Sequence, residues 1–490
     1  MHLTISTMDL IVICGYLACV VLLGAWTGRG NHDLSDYLLA GRNLPWWALL
    51  GSIVATETST ATFLSVPGLS YVPGGDMRFL QLALGYIVGR VLVVWLLLPA
   101  YFEGDMFTAY EVLRERFGVT AQRFTSALFL IARNVGDGLR LFLTALAIEA
   151  ATGLSLTNSV ILVSVVTILY TLFGGMRSVV WNDCLQLLVY FIGGIVTLWL
   201  LVSTIDGGWD RLLAFGVGEH KFRLFDFSWD LSDPMTFWAG LIGGSFLSLG
   251  THGTDQMIVQ RLLSARSQRE AAQALTLSGV LVLVQFALFL LIGVALALFF
   301  AEHPPSGTID RGDAAYIEYI VRHMPSGLAG LVLASVFAAA MSTLSSSLNS
   351  SAATLVGDFS RPSDGSSAVE NQRLQLSRVF TIIFGVIQAG LAIVAAQLSQ
   401  SVVLDALAIA GFTAGVMLGV FSIGLFIRRA GQSAAVLGMI AGLAVLGVVK
   451  FQTLIAWPWY PLIGSLTTVF TSWALSWFLP ANATATAREH

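Results

Sequence analysis

The length of the apolar runs constrains this chain more than any other feature. Stretches of about 20 residues with almost no charge recur from end to end, the length needed to cross roughly 30 Å of hydrocarbon. In lipid every backbone polar group must be bonded internally, and uninterrupted runs of this length select helices rather than strands. The runs predict thirteen helices, at roughly 8–27, 44–70, 78–101, 122–150, 154–174, 179–202, 235–262, 272–300, 326–358, 375–399, 402–427, 432–451 and 457–479. Charged residues are 11% of the 490, under half the share of about 25% in soluble proteins. The fold class is therefore an all-α polytopic membrane protein, one transmembrane domain over 1–490.

The same composition excludes other classes. Net charge is −4 with no basic tract, which argues against a nucleic-acid partner. Cys14, Cys19 and Cys184 lie in or beside apolar runs and form no disulfide or metal spacing. No HExxH motif and no Ser/His pair at matching depth is present, so no enzyme, catalytic residue or cofactor is expected. The first apolar run lacks a basic leader and a cleavage site, and reads as a retained helix. Alternate loops carry arginines: Arg29 and Arg42; Arg114, Arg116 and Arg123; Arg177; Arg261, Arg266 and Arg269; Arg361, Arg373 and Arg378; Arg428 and Arg429. The positive-inside rule then puts the N-terminus outside and the C-terminus in the cytoplasm. Arginine outnumbers lysine, which suggests the plasma membrane of a bacterium, the inner one.

Two spans are interrupted by polar residues. One contains "GSIVATETSTATFLSVPG", Gly51 to Gly68, and the other "GGSFLSLGTHGTDQ", Gly243 to Gln256. Broken helices at matching places in two halves point to a transporter's binding site. They lie five predicted helices apart, which suggests two inverted five-helix repeats at 44–202 and 235–427. Helix 8–27 would be additional at one end and two helices over 432–479 at the other. Ordinary helices packed through small residues are the plainer alternative.

A third feature is "AAAMSTLSSSLNSS", Ala338 to Ser351, seven hydroxyls and an amide inside an apolar span. Ser342, Ser345, Ser346 and Asn349 share one helical face, flanked by Thr343 and Ser347. Neutral oxygens suit a hard cation such as sodium; small-residue helix packing is again the alternative. Asp183, a few residues inside the sixth predicted helix, would supply charge beside that face. Its plainer reading is an interfacial carboxylate paired with Arg177.

Four stretches together resemble the solute:sodium symporter family: "SDYLLAGRNLPWW", "GGMRSVVWNDCLQ", "QRLLSARSQREA" and "FAAAMSTLSSSLNSSAATLVGDF", spread over 35–360. The resemblance implies an inverted-repeat, LeuT-type fold and sodium-coupled uptake of a small polar organic solute by alternating access. It carries a main sodium site onto the carbonyls of Ala55, Thr58 and Ala339 and the hydroxyls of Ser342 and Thr343. It carries a second sodium site onto Asp183, Ser342, Ser345 and Ser346. It places the solute near Glu57, Thr58, Thr60, Thr62, Gln81, His252 and Asp255.

The run "RNVGDGLR" adds Asp137 and Arg140 at the cavity edge, or alternatively a self-neutralising ladder with Arg133. The chain departs from sugar transporters at Glu57, Val282 and Leu407, and from sialic acid transporters at Gly136. Glu57 and Asp255 would give the cavity a negative bias that favours an ammonium group or several hydroxyls. A proton-coupled or uncoupled carrier using Asp183, or a transporter-like sensor, are the rival readings. The sequence leaves the solute, the sodium stoichiometry and the oligomeric state open.

Overall fold

A computed structural model of the chain describes residues 5–30, 33–104, 106–304, 312–359, 367–398, 400–427 and 429–480. Arg361, Arg428 and the Leu407 side chain lie outside the described parts. Among the described residues the structure is helical without strands; an isolated bridge joins Leu44 to Ala265. Helices occupy each of the thirteen apolar runs. In chain order they are α1 (Thr7–Thr27), the half-span pair α2 (Trp46–Glu57) and α3 (Thr60–Tyr71), α4 (Leu80–Leu96), α5 (Val119–Thr152) and α6 (Leu156–Thr204). The second pair of half-spans is α7 (Gly244–Gly253) and α8 (Gln256–Leu263). They are followed by α9 (Gln268–Glu302), α10 (Leu328–Phe359), α11 (Ser367–Ala395), α12 (Gln400–Phe426), α13 (Gln432–Gln452) and α14 (Tyr460–Leu475). Six of these meet the length and hydropathy of a membrane span outright, and the bent α2–α3 pair makes a seventh.

The predicted helices over 154–174 and 179–202 are joined by a tight turn at Gly175 within α6. Gly175 stands at φ 53° and ψ −149°, outside helical geometry, and the Ser178 hydroxyl donates to the Tyr170 carbonyl, eight residues back, at 3.0 Å, so the two halves of α6 are separate helices folded back on each other. A side chain there would be strained, and its Cβ would stand 2.4 Å from the Tyr37 carbonyl oxygen.

α10 is the central element. Nearly all of its apolar window is buried, against a third for α1 and α13. It packs on α6, α5, α11 and α1. At its start the Asp9 carboxylate of α1 accepts from the Gly327 and Gly330 amides, both at 2.7 Å. A carboxylate there satisfies donors the helix cannot bond itself and complements the helix dipole. At the far end Asp358 is buried and accepts from Thr108 Oγ1 and Gln122 Nε2, both at 2.7 Å, and from the Ser126 hydroxyl. Two of those donors lie in the first turns of α5, whose N-terminal dipole also favours a carboxylate.

The loop between α6 and α7 fastens the opposite end. Lys221 Nζ donates to the carbonyls of Ser70 (2.8 Å), Tyr71 (3.2 Å) and Val72 (2.8 Å), and so caps the C-terminus of α3. Burial lowers its pKa from the ordinary lysine value. Arg78 pairs with Asp76 at 2.7 Å and with Asp226 at 3.0 Å in the same region.

Candidate functional site

The site begins where α2 stops. Thr58 leaves the helix at φ −83° and ψ 99°, and Ser59 caps α3 by accepting from the Thr62 amide. The two half-helices meet at 63°. A stop inside the membrane frees backbone carbonyls, and α10 answers them with hydroxyls. Ser342 Oγ lies 2.9 Å from the Ala55 carbonyl and 3.2 Å from that of Ala339. Thr343 Oγ1 lies 3.1 Å from the Thr56 carbonyl and 3.4 Å from that of Ala339. Ala55, Ala339, Ser342 and Thr343 are therefore brought together, with Thr58 at the break beside them. The Thr58 hydroxyl itself is engaged elsewhere, donating to Val54 O and accepting from Gln285 Nε2 at 2.7 Å.

Asp183 lies one layer away, fully buried. Its Oδ2 accepts from Ser52 Oγ (2.5 Å), Thr56 Oγ1 (3.4 Å) and Arg261 Nη2 (2.9 Å). The partner is thus Arg261 of α8 and not Arg177. Arg261 is 1% exposed and spends all its nitrogens here: Nε on Ser52 Oγ at 2.7 Å, Nη1 on the Met257 carbonyl at 2.5 Å, Nη2 also on Ser346. One guanidinium thereby joins α2, α6, α8 and α10. Ser346 meets Thr56 at 2.9 Å, and Ser345 donates to the Ser342 carbonyl at 3.2 Å. Asp183 Oδ1 is buried without a hydrogen-bond partner.

The second break mirrors the first. α7 ends at Gly253, Asp255 caps α8 by accepting from the Met257 amide at 2.9 Å, and a π-helical turn, Ala239–Gly243, precedes α7. α4 carries glycines where α7 crosses it: a Cβ at Gly85 would fall 2.2 Å from the Gly240 oxygen. Between the breaks lies a cavity of about 280 Å³, lined by Glu57, Thr62, Arg133, Arg140, His252, Asp255 and Thr343 among others. It sits directly against the sodium-ligand candidates, since Thr343 belongs to both.

The charges in this cavity are paired. Glu57 binds Arg90, itself fully buried on α4, and lies 3.5 Å from His252 Nε2. Asp255 binds Arg133, and Asp137 takes Arg133 at 3.6 Å and Arg140 at 2.5 Å. Each of the two carboxylates expected to bias the cavity negative has an arginine, so the negative bias is cancelled. The Arg133–Asp137–Arg140 ladder and the cavity edge both exist: Asp137 is buried, while Arg140 is 41% exposed and lines the cavity. Thr60 and Gln81 stand apart. Thr60 donates to the Val336 carbonyl at 3.3 Å, and Gln81 holds the loop between α6 and α7 through Met235 O (2.8 Å) and the Asp226 amide (3.0 Å). Sequence reasoning passed over Arg90 and Tyr86, and it counted Arg261 as a loop arginine, whereas Arg261 is buried within α8. Arg90 was visible as a lone charge within an apolar run.

Broken helices facing each other across a polar cavity, with hydroxyls on the freed carbonyls, define a secondary active transporter. The chain belongs to the sodium:solute symporter family, whose model matches residues 37–442. It is 30% identical over 473 residues to the sodium/sialic acid symporter NanT of Aliivibrio fischeri (strain ATCC 700601 / ES114), covering 96% of this chain and 92% of that one. It is also 30% identical to the sodium-dependent multivitamin transporter of Oryctolagus cuniculus, over 90% of this chain and 70% of that one. A solved Na+-coupled sialic acid symporter in a substrate-bound outward-open state matches with a TM-score of 0.89 and 28% identity, covering 97% of this chain and 99% of that one. MHP1, a nucleobase-cation-symport-1 family transporter, shares the fold at a TM-score of 0.60 and 15% identity. The protein is a multi-pass membrane symporter of LeuT-type fold, not an enzyme, in which sodium is the coupling ion for uptake of a small solute by alternating access.

Proposed function

We propose that the coupling sodium binds between the end of α2 and the serine face of α10, held by the carbonyls of Ala55, Thr58 and Ala339 and the hydroxyls of Ser342 and Thr343. The observation that carries this reading is the 2.9 Å approach of Ser342 Oγ to the Ala55 carbonyl at the point where α2 unwinds. A cation entering there takes both oxygens as ligands and fixes the position of the break. The ordered break then presents Glu57 and Thr62 to the solute cavity. Only a ligand that binds the two conformations unequally drives such a change.

The repeats extend over 44–202 and 235–427, with thirteen spans, the N-terminus outside and the C-terminus in the cytoplasm. The membrane is a bacterial inner membrane, and the solute is a small polar organic molecule. A second sodium binds at Asp183, Ser342, Ser345 and Ser346; the buried, unpartnered Oδ1 of Asp183 supports it.

Sodium-driven uptake in proteoliposomes tests the main site. Ser342→Ala and Thr343→Ala each remove an oxygen worth about 1.5–3 kcal/mol on a charge. Apparent sodium affinity should fall roughly tenfold or more in each. An unchanged sodium dependence in both variants would place the ion elsewhere.

A further inference from the structure

His252 ends α7 at the cavity wall, and its hydrogen bonds can be accounted for atom by atom. Nδ1 lies 3.2 Å from the Ser248 carbonyl, 3.0 Å from Thr251 Oγ1 and 3.4 Å from Ser248 Oγ. Neither hydroxyl has a hydrogen to give it. Thr251 donates to the Leu247 carbonyl at 2.9 Å, and Ser248 donates to the Tyr86 carbonyl at 3.1 Å. Each hydroxyl carries a single donor hydrogen, and a carbonyl carries none. Nδ1 therefore holds the ring proton. In the neutral ring Nε2 is then a bare acceptor, buried and without a hydrogen-bond partner. It stands 3.5 Å from Glu57 Oε2, which is also an acceptor.

Two acceptors facing each other in a buried wall lack one hydrogen between them. A buried acceptor left unmet is destabilising, and both residues line the solute cavity. We propose that the solute supplies that hydrogen: a hydroxyl or N–H group of the transported molecule docks between His252 Nε2 and Glu57. The inference rests on the symporter reading above and names the chemistry of its substrate at this wall. It makes a donor-free solute a poor fit, because such a molecule leaves the Nε2 lone pair unmet. It also makes the proton a competitor. Protonated His252 turns Nε2 into a donor that satisfies Glu57 directly and closes the gap. The charged groups facing the ring are Glu57 at the end of α2 and Arg90 of α4, whose guanidinium already neutralises Glu57; Asp255, three residues on, is bound by Arg133.

Two measurements on the purified full-length protein in detergent decide the matter. The first is ¹⁵N NMR of histidine-labelled protein near pH 8, with His252 assigned by its loss in His252→Gln. A protonated Nδ1 and a bare Nε2 are expected; a proton on Nε2 would overturn the proposal whatever the solute. The second is thermal stabilisation in sodium and in potassium buffer. The donor-bearing probes are N-acetylneuraminate, lactate, glucose and glycine; the donor-free ones are acetate, glycine betaine and iodide.

Stabilisation is expected from a donor-bearing probe, weakened by about fivefold to thirtyfold in affinity on His252→Phe, the worth of one buried hydrogen bond. That affinity should also fall as the pH is lowered from about 6.5 to about 5 in the parent and not in His252→Phe. A donor-free probe that stabilises as strongly, or a pH profile that survives His252→Phe, overturns it. Stabilisation independent of sodium would instead undo the symport reading and leave the subsite standing.

Discussion

Arg261 is the residue on which most depends. It neutralises Asp183 in a place that water does not reach, and both partners are essentially unexposed. Breaking a buried pair from one side leaves an uncompensated charge, at a cost of about 3–5 kcal/mol. Arg261→Ala should therefore lower thermal stability steeply, and Arg261→Met combined with Asp183→Asn should recover much of it. Unfolding curves of the three variants check this; equal losses in the single and double variants would show that the pair is not coupled. The serine face was legible in the sequence because i, i+3, i+4 and i+7 spacing needs only a helix. Asp183 was legible as a charge inside a span. Its partner was not, because Arg261 is 78 positions away and reaches α6 only through the packing of α8. The expected negative bias failed for the same reason: Arg90 and Arg133 meet Glu57 and Asp255 across elements that no local pattern connects.

At the scale of elements, the two broken spans were legible as polar runs, and the breaks fall inside the quoted stretches. Their caps follow ordinary rules: Ser59 opens α3 and Asp255 opens α8. Asp255 has a second duty in Arg133. Asp255→Asn keeps an N-cap and loses the ion pair, whereas Asp255→Ala loses both. The cap alone is worth about 1 kcal/mol, so the alanine variant should unfold earlier than the asparagine variant. Indistinguishable melting would remove the capping role.

The clasp of Lys221 on α3 was not legible. Its target is three carbonyls, which every residue possesses. Lys221→Met should cost about 2 kcal/mol by uncovering the end of α3. Hydrogen exchange localised to 66–72 would rise if this is right and stay flat if the clasp is idle. The turn inside α6 was legible, because Gly174 and Gly175 interrupt the apolar run there; its tightness follows from the positive φ that Gly175 takes.

For the molecule as a whole, sodium and solute bind one conformational equilibrium and must each tighten the other by the same factor. Calorimetric titration of each ligand at fixed levels of the other checks this, and unequal factors would refute a shared equilibrium. Each charge carried inward also draws about 2.3 kcal/mol per 100 mV of membrane potential.

Asp358 turns that cycle into something observable. It closes one end of α10 with no arginine or lysine on it among the described residues, held by three neutral donors of α5 and the segment before it. That seam has to part when this end of the molecule opens, and water then reaches position 358. The chain has three cysteines, and those on α1 face outward from the protein. An Asp358→Cys variant with Cys184→Ala would thus act as a shutter. A charged thiol reagent should label position 358 only while the mouth stands open, so labelling rate reads out the fraction of time spent in that state, solute by solute.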